Sequence, residues 1–174
     1  MKVTDYVVQE NDSNEFCKET LHRRAFKVNM RLFKSSAVYR QIIFDIAKCL
    51  ENHLKMQFED YTERGVSGAS LGLPFNMIAY KIGNNVKLMI NPRLVKKSKE
   101  MIETKSNCSD LKLAEPIAVV RHKLIDVEFY DLKGLKAVEK NIGREQGGFT
   151  IQHEVDHNLG IMITDRHKEM KEKK

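Results

Sequence analysis

The chain has 174 residues, 41% hydrophobic and 31% charged, with a net charge of +6. That is enough for one domain with a real core, too little for two comfortable ones, and it reads as soluble and globular. No apolar run reaches the roughly 20 residues of a membrane helix, and Met1-Lys2-Val3-Thr4-Asp5-Tyr6 lacks the pattern of a secretory signal.

Val7 to Lys27 mixes polar residues with turn formers such as Asn11-Asp12-Ser13-Asn14 and is expected as an extended arm with turns. Ser36 offers a helix N-cap. Tyr39, Ile42, Ile43, Ile46, Ala47, Leu50 and Leu54 follow at helical spacing and predict a long amphipathic helix from Ala37 to Phe58. Cys49 and His53 lie on it, expected as an inert buried thiol and a surface imidazole. Gly65, Gly68 and Gly72 then break the pattern and allow tight turns or close approach. This stretch lacks the lysine and following helix of a phosphate loop.

Asn76 to Tyr80 and Val86 to Ile90 read as strands joined at Gly83-Asn84-Asn85, and Asn91-Pro92 is expected to close the second. Arg93 to Ile102 is strand-compatible, and Lys105 to Asp110 is a polar turn holding Cys108. Ala118 to Val120 and Leu124 to Tyr130 read as strands, and Leu132-Lys133-Gly134 as a turn. The last element is a helix from Gly148 to Gly160. The order predicts an α+β fold with antiparallel strands packed around a C-terminal metal-binding helix. Residues 1–165 form the expected domain, and 166–174 a basic charged tail that can contact ribosomal RNA. No sequence-specific nucleic-acid reading and no membrane partner is expected.

Cys17, Cys49 and Cys108 are scattered and odd in number. They form no disulfide framework, so a reducing compartment is expected. The cytoplasm fits, and a processed organellar protein would read the same.

The chemistry concentrates in His153-Glu154-Val155-Asp156-His157, an HExxH motif within the apolar-periodic segment Ile151 to Met162. Residues four apart share a helix face, so both imidazoles can grip one metal ion. Glu154 is beside them, placed to take a proton from a water molecule that the metal activates. The arrangement argues for hydrolysis of an amide-like bond. A catalytic site of this type takes three protein ligands. Downstream, only His167 is available, within the charged tail. Upstream, Cys108 is the better third ligand.

With Cys108 added, the chain resembles the peptide deformylases, which remove the formyl group from the N-terminal methionine of new polypeptides. Gln152-His153-Glu154-Val155-Asp156-His157 matches the family's QHExDH. Ser106-Asn107-Cys108-Ser109-Asp110 keeps only the cysteine of its EGCLS. Gly68 to Phe75 lines up loosely with its GxGLAAxQ, and Ile90-Asn91-Pro92 looks like its INP. The resemblance implies that Cys108, His153 and His157 hold one divalent ion, commonly iron(II), with zinc, nickel or cobalt able to replace it. It implies Glu154 as general base and then acid, a formyl-methionyl peptide as substrate, and the backbone N–H of Ser109 as an oxyanion donor. Gly68, Ser70, Leu71, Gly72, Phe75 and Asn76 would line the cleft, with Leu71, Phe75, Phe149 and Ile151 around the substrate side chain.

The family's glutamine donor falls on Phe75, and losing one such donor costs about 10²–10³ in rate. Neighbouring Asn76 can replace it only if the backbone bulges there. These departures leave two alternatives to a working deformylase. One is an impaired metal-binding relative, and the other a hydrolase of a different small acyl-amide.

Overall fold

The computed structural model describes residues 15–56, 63–111 and 113–172. Its elements run α1 (Glu15–His22), α2 (Met30–Ser35), α3 (Ala37–Met56), β1 (Glu63–Ser67), β2 (Met77–Ile82), β3 (Asn85–Lys97), β4 (Met101–Ser106), β5 (Ile117–His122), β6 (Ile125–Tyr130), β7 (Lys136–Ile142), α4 (Gly148–Asn158) and α5 (Ile163–Glu172). Strands β1-β2-β3-β6-β7 form an antiparallel five-stranded sheet, and β4 pairs with β5 in a separate ribbon. The architecture is the expected α+β, with antiparallel strands around the HExxH helix α4. Among the described residues no helix is long and apolar enough to cross a membrane.

Strand β2 explains the layering. Its first residues, Met77 to Tyr80, are all buried, because both sheet faces are covered there. Met77 and Ala79 join a core with Ile43, Ala47, Leu50 and Leu54 of α3. Ile78 and Tyr80 point the other way and join Ile151 and Val155 of α4, with Val127 and Ile142. A third apolar cluster joins Leu21 of α1, Val119 of β5, Met162, Ile163 of α5 and Cys108 itself. The metal-candidate cysteine is therefore part of a packed core.

Several boundaries differ from the sequence expectations. Within the predicted arm, residues 15–22 are helical, while the Asn11–Asn14 turn lies outside the described residues. Helix α3 starts where expected, and the Ser36 hydroxyl accepts from Tyr39 N at 3.2 Å. Its predicted end at Phe58 lies outside the described residues. His53 is buried, contrary to the surface imidazole expected. Asn91-Pro92 does not end β3. Asn91 takes a left-handed backbone (φ 54°), and the β3–β6 register shifts between Ile90 and Arg93. The strand bulges and continues. The Asn91 side chain holds both polar groups of Val28 at 2.8 Å, which compensates the distortion. Edge strand β7 is rich in lysine and glutamate, a composition that hides a strand and suits an unpaired edge.

The predicted tail is helical from its first residue, Arg166, to Glu172. Met170 is buried, and His167 donates from Nδ1 to Ala118 O at 2.6 Å. Arg166 binds Asp156 through Nε at 3.0 Å and Nη2 at 2.5 Å, and Arg121 binds the same carboxylate from β5. One buried anion thus joins α4, α5 and β5.

Two predictions follow from this packing. At the end of α4, Gly160 (φ 74°) closes the helix, with Gly160 N on His157 O and Ile161 N on Asp156 O. A Cβ there would lie 2.7 Å from His22 O, whereas at Gly83 (φ 54°) it would meet nothing within 4 Å. Gly160→Ala should cost more than the ~1–3 kcal/mol of left-handed strain, and Gly83→Ala no more than that strain, as read from urea midpoints. Asp156→Ala should cost about 3–5 kcal/mol, because it leaves guanidinium charge buried without a counterion. A loss below 1 kcal/mol in the same measurement would remove the proposed clamp.

Candidate metal centre

Helix α4 runs buried between the five-stranded sheet and the β4–β5 ribbon, and almost every residue of Gly148–Asn158 is covered. Gln152 fixes its rotation. The amide oxygen accepts from His122 N at 2.9 Å, and the amide nitrogen donates to His122 O at 3.0 Å. The side chain completes β5 much as a strand residue would. One helical position later His153 projects toward the ribbon, and His157 follows on the same face.

Cys108 approaches from the loop after β4. Its Sγ lies 3.3 Å from His157 Nε2, and His157 Nε2 lies 3.1 Å from His153 Nε2. The donor atoms of all three residues fall within 4.8 Å of one another. In a tetrahedral site with bonds of about 2.0–2.3 Å, neighbouring donors stand about 3.3–3.6 Å apart. The cluster fits a small divalent ion. Two neutral imidazoles and a thiolate are also a ligand set that leaves a fourth position open.

Electrostatics agree with that fit. Burial, the neighbouring His157 and the Arg121 guanidinium hold His153 well below the usual imidazole range. Arg121 Nη2 is 3.4 Å from His153 Nδ1. Burial likewise lowers His157. Both shifts favour the neutral rings that ligation requires. Burial pushes the Cys108 thiol up, and the Asp110 carboxylate adds to that. A cation among these groups reverses the order for cysteine, since a coordinating thiol is deprotonated.

Glu154 faces the centre from α4 and is buried. Burial and Asp110 raise it well above the ordinary carboxylate range, and its Oε2 has no hydrogen-bond partner among the described residues. Gly65 of β1 makes room for it. A Cβ at Gly65 would lie 2.6 Å from both Glu154 Cγ and Oε1.

Asp110 is a polar group that the sequence reading did not single out. It is fully buried two residues after the cysteine, and its Oδ2 lies 3.6 Å from His157 Nε2. Ser70 donates to it at 2.8 Å, and Ser70 in turn contacts Ser67 at 2.9 Å. His53 of α3 also favours its charge, although burial raises its pKa. The chain Ser67–Ser70–Asp110 ties the cysteine loop to β1 and the turn after it.

The centre opens into a cleft of about 720 Å³. Its walls come from β1 (Arg64, Gly65), β4 and its loop (Thr104 to Ser109) and α4 (Phe149, Thr150, His153, Glu154, His157). Of the expected cleft residues, Ser70 lines it, whereas Gly68, Leu71, Gly72, Phe75 and Asn76 do not; Ser109, the expected oxyanion donor, is also in the wall. Leu71 is buried in the α3 core. Gly72 is the left-handed end of a short 3-10 turn, and the space beside Gly68 is filled by Phe75 O. Phe75 bridges to Phe26 and packs against the α3 core, and Asn76 N bonds to Phe26 O. Around the expected substrate pocket, Phe149 is in the wall, whereas Ile151 is core. Gly65 is the glycine of the expected close approach, and the group that approaches it is Glu154. Arg64, Thr104 and Thr150 carried no such signal.

Comparison with known proteins agrees with this geometry. The chain is 39% identical over 85 residues to a peptide deformylase of Chloroflexus aggregans, covering 48% of this chain and 43% of that protein. It therefore spans less than half the length of that relative. A Clostridium beijerinckii peptide deformylase is 31% identical over 105 residues, covering 57% of this chain and 69% of that protein. In fold, the chain matches the Thermotoga maritima peptide deformylase with a TM-score of 0.72 at 20% identity, covering 92% of this chain and 95% of that one. An Acinetobacter baumannii class I type b peptide deformylase, solved with Met-Ala-Ser bound, matches with a TM-score of 0.71 at 18% identity, covering 92% of this chain and 96% of that one. The sequence profile of the polypeptide deformylases runs through residues 15–173, from α1 to beyond α5, and the chain belongs to that family.

Proposed function

We propose that this chain is a metal-dependent hydrolase that removes the N-formyl group from the N-terminal methionine of nascent polypeptides. The observation that carries the reading is the convergence of Cys108, His153 and His157, with Glu154 buried beside them. Cys108, His153 and His157 would hold one divalent ion, with iron(II) the expected metal and zinc, nickel or cobalt able to take its place. When bound, the ion supplies Lewis-acid activation of water and of the formyl oxygen.

The remaining steps belong to the protein. Glu154 accepts a proton from the attacking water as the C–O bond forms at the formyl carbon. The raised basicity of its carboxylate suits that task. The backbone N–H of Ser109, in the cleft wall, donates to the oxyanion that develops. Glu154 then returns the proton to the amine nitrogen as the C–N bond breaks, giving formate and a free amino terminus. Phe75 lies outside the cleft lining, so the missing glutamine donor is not replaced from that position.

The cleft also favours an extended peptide. β1 is the terminal strand of its sheet, and β4 pairs only with β5 among the described residues. Both strands line the cleft, β1 with Arg64 and Gly65 and β4 with Thr104, Lys105 and Ser106. A peptide laid between them gains main-chain hydrogen bonds as an added strand. The Acinetobacter relative was solved with a peptide, Met-Ala-Ser, bound. Exposed Lys168 and Lys171 of α5 offer a basic face for ribosomal RNA. Lys168→Glu with Lys171→Glu should weaken salt-sensitive binding to ribosomes in a sedimentation assay, and unchanged binding would remove that contact.

Purified, metal-loaded protein should contain one ion per chain by elemental analysis and release formate from formyl-Met-Ala-Ser without oxygen present. Glu154→Gln should retain the ion and lose at least about 10²-fold in turnover. Cys108→Ala should lose the ion itself. Normal turnover by Glu154→Gln would show the proton route to be wrong.

A further inference from the structure

The family resemblance predicts an apolar wall around the first side chain of the substrate, and the cleft of this chain adds fixed cations to its apolar surface. Its lining includes Arg64, Thr104, Lys105, Ser106, Asn107, Arg144 and Thr150, while the apolar contribution comes chiefly from Leu54 and Phe149. The cationic lining is unbalanced. Arg121 is neutralised by Asp156, but Lys105 and Arg144 have no ion-pair partner among the described residues. Arg144 lies over the Phe149 ring at 5.7 Å, which keeps its charge at the cleft mouth. Among the described residues Glu154 is the only carboxylate in the lining, and it stands at the reacting centre. Acidic neighbours in sequence, Glu103 and Glu145, are outside the lining.

We propose that this cleft selects formyl peptides carrying a carboxylate side chain within the first residues after the formylated one, with Lys105 and Arg144 as the specificity-determining cations. The inference rests on the deformylase reading of the same site. Position follows from strand geometry. Lys105 is three residues before Cys108, about 10 Å of extended chain at 3.3 Å per residue. A peptide extended along β4 with its formyl group at the Cys108 end brings its second or third residue to that charge. Low-dielectric walls focus the field of fixed charges into a cleft, so the selectivity acts on encounter as well as on the bound state. It is screened by salt.

The test compares C-terminally amidated formyl-Met-Glu-Glu, formyl-Met-Gln-Gln and formyl-Met-Lys-Lys as substrates of the metal-loaded full chain. kcat/KM should fall in that order, with about a tenfold or larger span between the acidic and basic peptides at low salt. The span should narrow in 0.5 M NaCl. Lys105→Glu with Arg144→Glu should invert the order. Lys96→Glu with Lys97→Glu changes the net charge equally on the exposed part of β3 and should leave the order intact. Equal rates for the three formyl peptides, or inversion by the β3 pair as well, would overturn the specificity while leaving deformylation standing. If no peptide releases formate, the deformylase reading fails instead. Equilibrium binding of unformylated Met-Glu-Glu and Met-Lys-Lys amides then decides the charge preference: tighter binding of the acidic peptide upholds it, and equal binding overturns it.

Discussion

A single buried carboxylate, Asp156, organises this molecule. It receives Arg121 from β5 and Arg166 from α5, and it lies within the motif that carries both histidines. The pair is expensive to desolvate, and it is retained where an apolar replacement would pack as well. Its value is positional. Arg121 reaches from Asp156 to within 3.4 Å of His153 Nδ1, so the clamp that docks three elements also faces the ring of a candidate ligand. Rigid support from outside the donor set is what a metal site needs if its ligands are to keep their geometry.

The rest of the fold is arranged to bury that helix without closing the site. Sheet residues that alternate between the α3 and α4 faces give β2 two cores, and α4 is pressed against one of them through Ile151 and Val155. Gln152 docks the other side of the helix on β5 by mimicking its main chain. Between these contacts, His153, Glu154 and His157 are left facing the ribbon and the cysteine loop. That loop is held by Asp110 and the two serines rather than by the glutamate expected from the family motif. The loss of one charged residue before the cysteine is accompanied by another carboxylate two residues after it.

How much of this was legible in the sequence follows from the range of each interaction. The HExxH helix and α3 were readable because 3.6-residue periodicity is local, and the Gly83-Asn84 turn marks its hairpin for the same reason. The passage of β3 beyond Asn91-Pro92 was not, because the partner that holds the bulged Asn91 is Val28, 63 positions away. Helix α1 was read as part of an arm, since its burial comes from a cluster assembled by β5 and α5. The burial of His53 has no local signature. The metal-candidate triad was readable because residue chemistry and motif spacing suffice there. The cleft walls were not, because Arg64, Thr104 and Thr150 acquire meaning only when β1, β4 and α4 are brought together.

The same separation explains how a family site can change its preference without losing its chemistry. The groups that would hold an ion and move a proton lie on α4 and in the loop after β4, anchored by Asp156, Gln152 and Asp110. The groups that would meet the rest of a substrate lie on β1, on the outer part of β4 and near the start of α4. Substitution at Lys105 or Arg144 leaves the first set in place, since neither side chain belongs to the Asp156, Gln152 or Asp110 anchors. Arg64, Lys105 and Arg144 belong to that second set. The charge of exposed Lys105 costs little at a solvent-open cleft, and with Arg144 it adds field to shape as a means of choosing a partner.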